Sequence, residues 1–127
     1  AIPATYTIIA DEIADIQSNI KKAVDAGTSL VLITGGTGLS PRDVTPEAVR
    51  PLLDREIDGI AETLRNYGQD RTPYAMLSRS VAGTIGNTLV IALPGSTKGA
   101  SESMDALFPA VLHIFKVLKG GRHIVND

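Results

Sequence analysis

The hydrophobic positions of this chain follow two periodicities in turn, which predict alternating strands and helices. Residues 5–9 are β-branched or aromatic and predict a strand. Apolar residues then recur every three or four positions over 13–26 and stop at Gly27, which predicts an amphipathic helix. The unbroken apolar run within 29–34 predicts a strand covered on both faces, as strands of parallel sheets are. These three elements together form a βαβ unit.

Two further helices are predicted after the second strand. Thr45 can cap a helix that has Pro46 at its first position, where proline loses no hydrogen bond. Pro51 cannot donate to the interior of a helix, so this helix should be short or kinked. Residues 59–67 predict the next helix, which ends before Gly68.

The last third of the chain predicts a hairpin, a strand and a long helix. Gly86-Asn87 separates two β-prone runs that could pair, and the second run is 88–93. The helix would bury one apolar face, made of Met104, Leu107, Phe108, Val111, Leu112, Phe115 and Leu118. This order of elements predicts an α/β three-layer sandwich with a mostly parallel sheet, in a single domain over 1–127.

Composition narrows the possible partners. The 127 residues are 43% hydrophobic and 20% charged, as in an ordinary soluble domain. Twelve Lys and Arg stand against 14 Asp and Glu, so there is no global positive field for nucleic acid or an anionic membrane. There is no Cys, which excludes disulfides and thiolate chemistry and fits a cytoplasmic address. No apolar run approaches the roughly 20 residues that a membrane helix needs.

Three loops should lie outside the carboxyl ends of the strands, where α/β sheets bind ligands. They are Asp11-Glu12, the stretch 35–43 and the stretch 94–99. In the second loop the small residues Gly35, Gly36, Thr37 and Gly38 would let backbone amides approach a phosphate. The alternative is that these glycines only form a turn.

Side chains in and near these loops suggest a magnesium and phosphate site. Asp11 and Asp43 would offer hard oxygen ligands to Mg²⁺, while Arg79 and the helix N-terminus after Gly95-Ser96 would hold phosphates. Each residue also has a structural alternative. The two aspartates could cap helices, and Arg79 could form an exposed ion pair.

The histidines point to no further chemistry. His113 lies in the apolar pattern of the last helix and is expected to be a half-buried structural residue, and His123 lies in a polar tail. Nothing in the spacing supports a zinc site or a Ser-His hydrolase.

The run from Thr34 to Ala48, Thr-Gly-Gly-Thr-Gly-Leu-Ser-Pro-Arg-Asp-Val-Thr-Pro-Glu-Ala, resembles the signature of the molybdopterin adenylyltransferases. This family includes the MogA and MoaB proteins and the G domain of gephyrin. Further matches are Asp54-Arg55-Glu56 with Gly59, the run 72–80, Ala82-Gly83 and Leu93-Pro94-Gly95, and the resemblance covers 5 to about 122.

The resemblance implies a molybdopterin-binding fold and Mg²⁺-dependent transfer of AMP from ATP to the terminal phosphate of molybdopterin. Asp11 and Asp43 match the family's catalytic pair and would also hold Mg²⁺. The positions expected to contact the substrates are Gly35, Gly36, Thr37, Gly38, Ser78, Arg79, Ser80, Pro94, Gly95, Ser96 and Lys98. After Pro94-Gly95 many relatives continue with Asn-Pro, so Lys98 would be this chain's own phosphate contact.

The resemblance also implies a homotrimer, or a hexamer of trimers, that hands its product to a molybdenum-insertion protein. Family domains begin with a strand, a Ser-Asp loop and a helix ahead of the segment matched by 5–9, and this chain opens directly in that segment. The domain is therefore expected to be N-terminally incomplete. A second hypothesis is a non-catalytic molybdopterin-binding or scaffold domain of a larger protein.

Overall fold

Helices and strands alternate along residues 6–120, the part of the chain that the computed structural model describes. The helices are α1 (Ile13–Asp25), α2 (Thr45–Val49), α3 (Asp58–Gln69), α4 (Thr97–Leu107) and α5 (Ile114–Leu118). The strands are β1 (Leu30–Thr34), β2 (Arg55–Glu56), β3 (Ala82–Ile85) and β4 (Thr88–Leu93). Short 3₁₀ turns occupy Arg50–Leu52, Pro73–Leu77 and Ala110–His113.

The four strands of the described chain form one sheet in the order β1-β4-β3-β2. β1 and β4 are parallel, with Leu30 opposite Leu89. β3 and β4 form the predicted hairpin around Gly86-Asn87, and β2 is antiparallel to β3. The predicted α/β class is confirmed, but over residues 6–120 the sheet is mixed rather than mostly parallel. A turn as short as Gly86-Asn87 can join only antiparallel strands.

The central strand β4 divides the core into two layers. All six of its residues are buried, and successive side chains point to opposite faces of the sheet. One face packs against α1 and α2 through Ile16, Ile20, Ala48, Val49, Val81, Val90 and Ala92. The other packs against α3 and α4 through Ile60, Leu64, Ala82, Leu89, Ile91, Leu93 and Leu107. Helices therefore cover both faces of the sheet, as the three-layer prediction requires.

The predicted first strand is absent from the described residues. Residue 5 lies outside them, and residues 6–10 have no regular secondary structure. Tyr6 and Ile8 are 88% and 85% exposed. β-branched residues favour extended backbone, but a strand also needs a partner to satisfy its backbone groups, and none in the described sheet pairs with this segment.

The predicted long C-terminal helix is also wrong, because Pro109 divides it. α4 begins at Thr97 and ends at Leu107, and Phe108 adopts an extended backbone with ψ 143°. Proline has no N–H to donate, and it disfavours helical backbone at the residue before it. The apolar residues beyond it lie on a 3₁₀ turn and the separate helix α5.

The other helix predictions are confirmed within one or two residues. α1 and α3 occupy the two amphipathic stretches, and α2 gives way to a 3₁₀ turn at Arg50. The half-buried state expected of His113 is found, while His123 lies outside the described residues. Within 6–120, no helix has the length and apolar character needed to cross a membrane.

Candidate functional site

The loops after β1 and β4 meet at one edge of the sheet, because these two strands are parallel neighbours. The Gly35 N–H donates to the Leu93 carbonyl at 3.0 Å. A Cβ on Gly95 would come within 2.9 Å of the Gly35 Cα, so the two backbones touch. The predicted convergence of the glycine loop with the Pro94-Gly95 loop is confirmed.

Thr45 anchors the glycine loop from behind. Its hydroxyl donates to the Gly35 carbonyl at 2.9 Å, and its backbone N–H donates to the Gly36 carbonyl at 3.1 Å. Thr45 is buried and is the first residue of α2, whose N-cap is Val44, so the predicted capping role is wrong. The loop is held in a positive-φ conformation, with Gly36 at φ 70°.

Asp43 folds back over the loop that it ends. Its Oδ2 accepts the Ser40 N–H at 3.0 Å and would lie 2.7 Å from a Cβ on Gly38. The absent side chain at Gly38 therefore makes room for the carboxylate. Because Val44 is the N-cap of α2, the structural alternative of helix capping does not hold for Asp43.

Arg79 crosses from the neighbouring segment and clamps the same loop. Its Nε donates to the Gly38 carbonyl at 2.7 Å and its Nη2 to the Asp43 carbonyl at 2.6 Å. Its Nη1 pairs with Glu47 Oε2 at 2.6 Å. This hydrogen bond holds the pKa of Glu47 below its ordinary value and raises that of Arg79. The predicted phosphate contact by Arg79 stays a prediction, since these bonds use three of its five N–H donors.

Ser78 and Ser80 turn away from Arg79, as alternate side chains of an extended segment do. Their hydroxyls lie 3.0 Å apart. Arg65 on α3 reaches the carbonyls of both serines from Nη1, at 3.4 Å each. The segment 78–80 thus separates the clamped loop on one side from a cleft on the other.

That cleft, of about 220 Å³, lies between α3, the 3₁₀ turn at Pro73–Leu77 and the first turns of α4. Of the sequence-predicted site residues, Ser78, Ser80, Pro94 and Ser96 line it. Ser96 is the N-cap of α4, and its hydroxyl accepts the Gly99 N–H at 2.9 Å. Glycine-loop residues and Asp43 do not line this cleft, and Lys98 is exposed on the first turn of α4.

No hydrogen bond or ion pair within the described chain joins Asp11 to the other loops. It is an exposed residue in a bend, and the adjacent Glu12 is the N-cap of α1 without a side-chain bond. The capping alternative for Asp11 is therefore wrong, while its pairing with Asp43 stays a prediction.

Sequence reasoning missed the wall of the cleft that α3 and α4 provide. Arg65, Tyr67 and Glu102 line it. Arg71 lies 3.6 Å from the Tyr67 ring centre, and its Nε is 3.8 Å from Glu102 Oε1, so it bridges the two helices at this wall. The sequence predicts a polar face on the amphipathic helix at 59–67, and this face could have suggested a binding surface. Only the packing of the helices shows that it borders a cavity.

The carboxylates near the loop could bind Mg²⁺ only if the substrate phosphates and water supply most of its ligands. Among residues 6–120 there is no cluster of three or more His, Cys, Asp or Glu. Mg²⁺ usually needs only one or two carboxylates, the rest of its shell being water and substrate oxygens. Asp43 meets this requirement, since its Oδ2 is held by Ser40 and its Oδ1 takes part in no hydrogen bond of the described site.

An α/β sheet with a clamped glycine loop at one edge and a cleft lined in part by hydroxyl groups is typical of small-molecule-binding domains. Residues 1–113 match the family model described as "Probable molybdopterin binding domain". The chain belongs to this family.

Named relatives and solved structures agree with the family. The chain is 42% identical over 118 residues to molybdenum cofactor biosynthesis protein B of Staphylococcus aureus, covering 91% of this chain and 70% of that protein. It is 41% identical over 117 residues to a molybdenum cofactor biosynthesis bifunctional protein of Chlorobaculum tepidum, covering 92% of this chain but 38% of that protein. The crystal structure of the molybdopterin biosynthesis enzyme MoaB from Thermus thermophilus superposes with a TM-score of 0.80 at 50% identity, covering 87% and 70% of the two chains.

Proposed function

We propose that this domain acts in molybdenum cofactor biosynthesis and transfers AMP from ATP to the terminal phosphate of molybdopterin, with Mg²⁺. The observation that carries the proposal is the clamped loop 35–43, which holds the Asp43 carboxylate and backbone amides on one side of the segment 78–80, while Ser78 and Ser80 line the cleft on its other side. The names of the relatives support the pathway. The adenylyl transfer itself rests on the resemblance of residues 34–48.

The reaction is a substitution at the α-phosphorus of ATP. An oxygen of the molybdopterin phosphate forms the new P–O bond, the bond from the α-phosphorus to the bridging oxygen breaks, and pyrophosphate leaves with that electron pair. A phosphate monoester has a second pKa of about 6, so the attacking group is largely a dianion at neutral pH. The proposed reaction therefore requires no general base.

The work of the protein is to align the two substrates and to neutralise their crowded charge. The amides of the glycine loop and of the first turn of α4 would bind phosphate oxygens. The hydroxyls of Ser78, Ser80 and Ser96 line the cleft and would form hydrogen bonds with the pterin substrate. Asp43, with Asp11 as its predicted partner, would hold Mg²⁺, which neutralises the phosphate charge when bound.

The direct test is to incubate the full chain with ATP, Mg²⁺ and molybdopterin and to assay for adenylylated molybdopterin and pyrophosphate. Both products should appear together, and removal of Mg²⁺ by a chelator should stop their formation. Binding of molybdopterin without either product would reject the transfer reaction and support the non-catalytic binding or scaffold domain.

A further inference from the structure

The Arg79 guanidinium spans residues 38–43, the part of the clamped loop that ends in Asp43. Two of its donors hold the carbonyls of Gly38 and Asp43, at 2.7 Å and 2.6 Å, and its own backbone N–H holds the Thr37 carbonyl at 2.7 Å. The planar guanidinium of an arginine fixes the directions of its donors. These bonds therefore fix the distance between the carbonyls of Gly38 and Asp43. A lysine could not make this set of contacts.

Glu47 fixes the remaining side of that guanidinium. It lies on α2, and its Oε2 is 2.6 Å from Arg79 Nη1. α2 is itself buried against the core through Ala48 and Val49, both 0% exposed. Glu47 therefore ties the arginine to a rigid element, while the arginine ties the loop to Glu47.

We propose that Glu47 is a positioning residue that acts through Arg79 to hold the loop 38–43 in the form that aims the Asp43 carboxylate. The inference rests on the proposed function and deepens it, because it assigns to Glu47 and Arg79 the task of presenting a group that touches the substrates or Mg²⁺. An isolated ion pair at the surface would contribute little and would affect nothing else.

The chain contains a matched control for that simpler case. Arg50 and Glu56 form an ion pair of the same chemistry, with Nε and Oε1 3.0 Å apart, and neither residue makes a side-chain hydrogen bond to the loop in the described chain, although the charge of Arg50 also acts on Glu47. The variants to compare are Glu47→Gln, Arg79→Lys and Glu56→Gln. The Gln substitutions each remove one carboxylate charge, and Arg79→Lys keeps the positive charge but loses the planar guanidinium.

Two readouts separate positioning from general stability. The first is steady-state transfer, in which Glu47→Gln and Arg79→Lys should lower kcat by about tenfold or more, the size typical of losing an orienting partner, with KM changed far less. The second is hydrogen exchange of the Ser40 amide, which donates to Asp43 Oδ2 and should exchange faster in both variants. Glu56→Gln should match the wild type in both, and thermal unfolding should confirm that all three variants are folded.

Several outcomes would overturn the inference. Wild-type kcat in Glu47→Gln would do so, as would unchanged Ser40 exchange, or an equal loss in Glu56→Gln. An increase of KM alone in Arg79→Lys would make Arg79 a substrate contact instead. If the wild type transfers no AMP, the proposed function fails, and the exchange measurement still decides whether Glu47 and Arg79 hold the loop.

Discussion

Gly36 shows how tightly single residues determine the glycine loop. Its φ is 70°, and a Cβ at this position would collide with the Oγ1 of the buried Thr45. The side chain of Thr45 cannot move away without losing its bond to the Gly35 carbonyl. Gly36 is therefore required for both its backbone conformation and the space behind it.

Gly36→Ala should lower the free energy of unfolding by about 2–4 kcal/mol, from left-handed strain plus overpacking. Gly27→Ala is the matched control, because Gly27 has φ 78° but no atom within 4 Å of an added Cβ. It should cost only about 1–2 kcal/mol of strain. Urea unfolding of both variants measures the difference, and equal losses would show that Thr45 adds no restriction.

Asp43→Asn should leave folding nearly intact and lower adenylyl transfer on the order of 10²-fold, as loss of a charge-stabilising group does. The amide oxygen of Asn can still accept the Ser40 N–H, so the free energy of unfolding should change by less than about 1 kcal/mol. Kinetics and thermal unfolding of the same preparation check both statements. An unfolded variant whose remaining folded fraction keeps full activity would make Asp43 a structural residue.

The contribution of the Glu47–Arg79 ion pair to the stability of the fold should depend on pH. Its folded-state pKa is lowered by the hydrogen bond from Arg79, so the ion pair stabilises the fold above the ordinary pKa of 4.5, and this contribution is lost as the pH falls through the lowered value. The stability difference between the wild type and Glu47→Gln should be present at pH 7 and vanish in acid. Denaturant unfolding across this range measures it. A difference that does not shrink as the pH falls below 4.5 would contradict the assignment to the charge of Glu47.

Ser96, the N-cap of α4, both stabilises this helix and lines the cleft. Ser96 accepts the Gly99 N–H, and both residues line the cleft. Ser96→Ala should lower the free energy of unfolding by about 1 kcal/mol, while Ser96→Asn, which retains a capping oxygen, should stay near the wild type. Denaturant midpoints give the comparison, and equal losses would mean that the hydroxyl does not act as a cap.

The helices were the elements that the sequence predicted best, because their apolar residues recur at helical spacing. α1 and α3 follow the spacing of their apolar residues because each buries one face against the sheet. The break after Leu107 was equally local, since Pro109 marks it, but the apolar spacing continues across the proline and suggested a single helix. The segment 6–9 has the propensity of a strand, yet pairing is a property of two segments.

At the scale of the whole molecule, apolar side chains are exposed beside the cleft. Tyr74, Met76 and Leu77, on one 3₁₀ turn, are 73%, 63% and 51% exposed. Exposed apolar side chains grouped on one turn are typical of an interface. We propose that this turn contributes to self-association, in line with the trimer that the family resemblance implies.

Sedimentation at micromolar concentration should then show a trimer or a hexamer. The double variant Met76→Gln with Leu77→Gln should shift the protein towards monomer. Leu112→Gln, at an exposed leucine on a different 3₁₀ turn, serves as the control and should not. A monomeric wild type would contradict the proposed assembly.

Features that depend on neighbours along the chain could be predicted from the amino-acid sequence alone. Helical spacing, the Gly86-Asn87 turn and the glycine loop all follow from local backbone preferences and burial periodicity. The run 34–48 is also continuous in sequence, so its resemblance to the family signature could be seen without a structure. The carboxyl ends of neighbouring strands could also be placed together, because parallel pairing requires it.

The long-range contacts that those features make became visible only in the three-dimensional fold. Arg79 and the Asp43 carbonyl are 36 positions apart, and nothing local distinguishes an arginine that clamps a loop from one that binds phosphate. The cleft likewise depends on how α3 and α4 pack together, which brings Arg71 to Glu102. Side-chain partners across such separations are chosen by packing and hydrogen-bond geometry in three dimensions, and sequence periodicity carries no record of that choice.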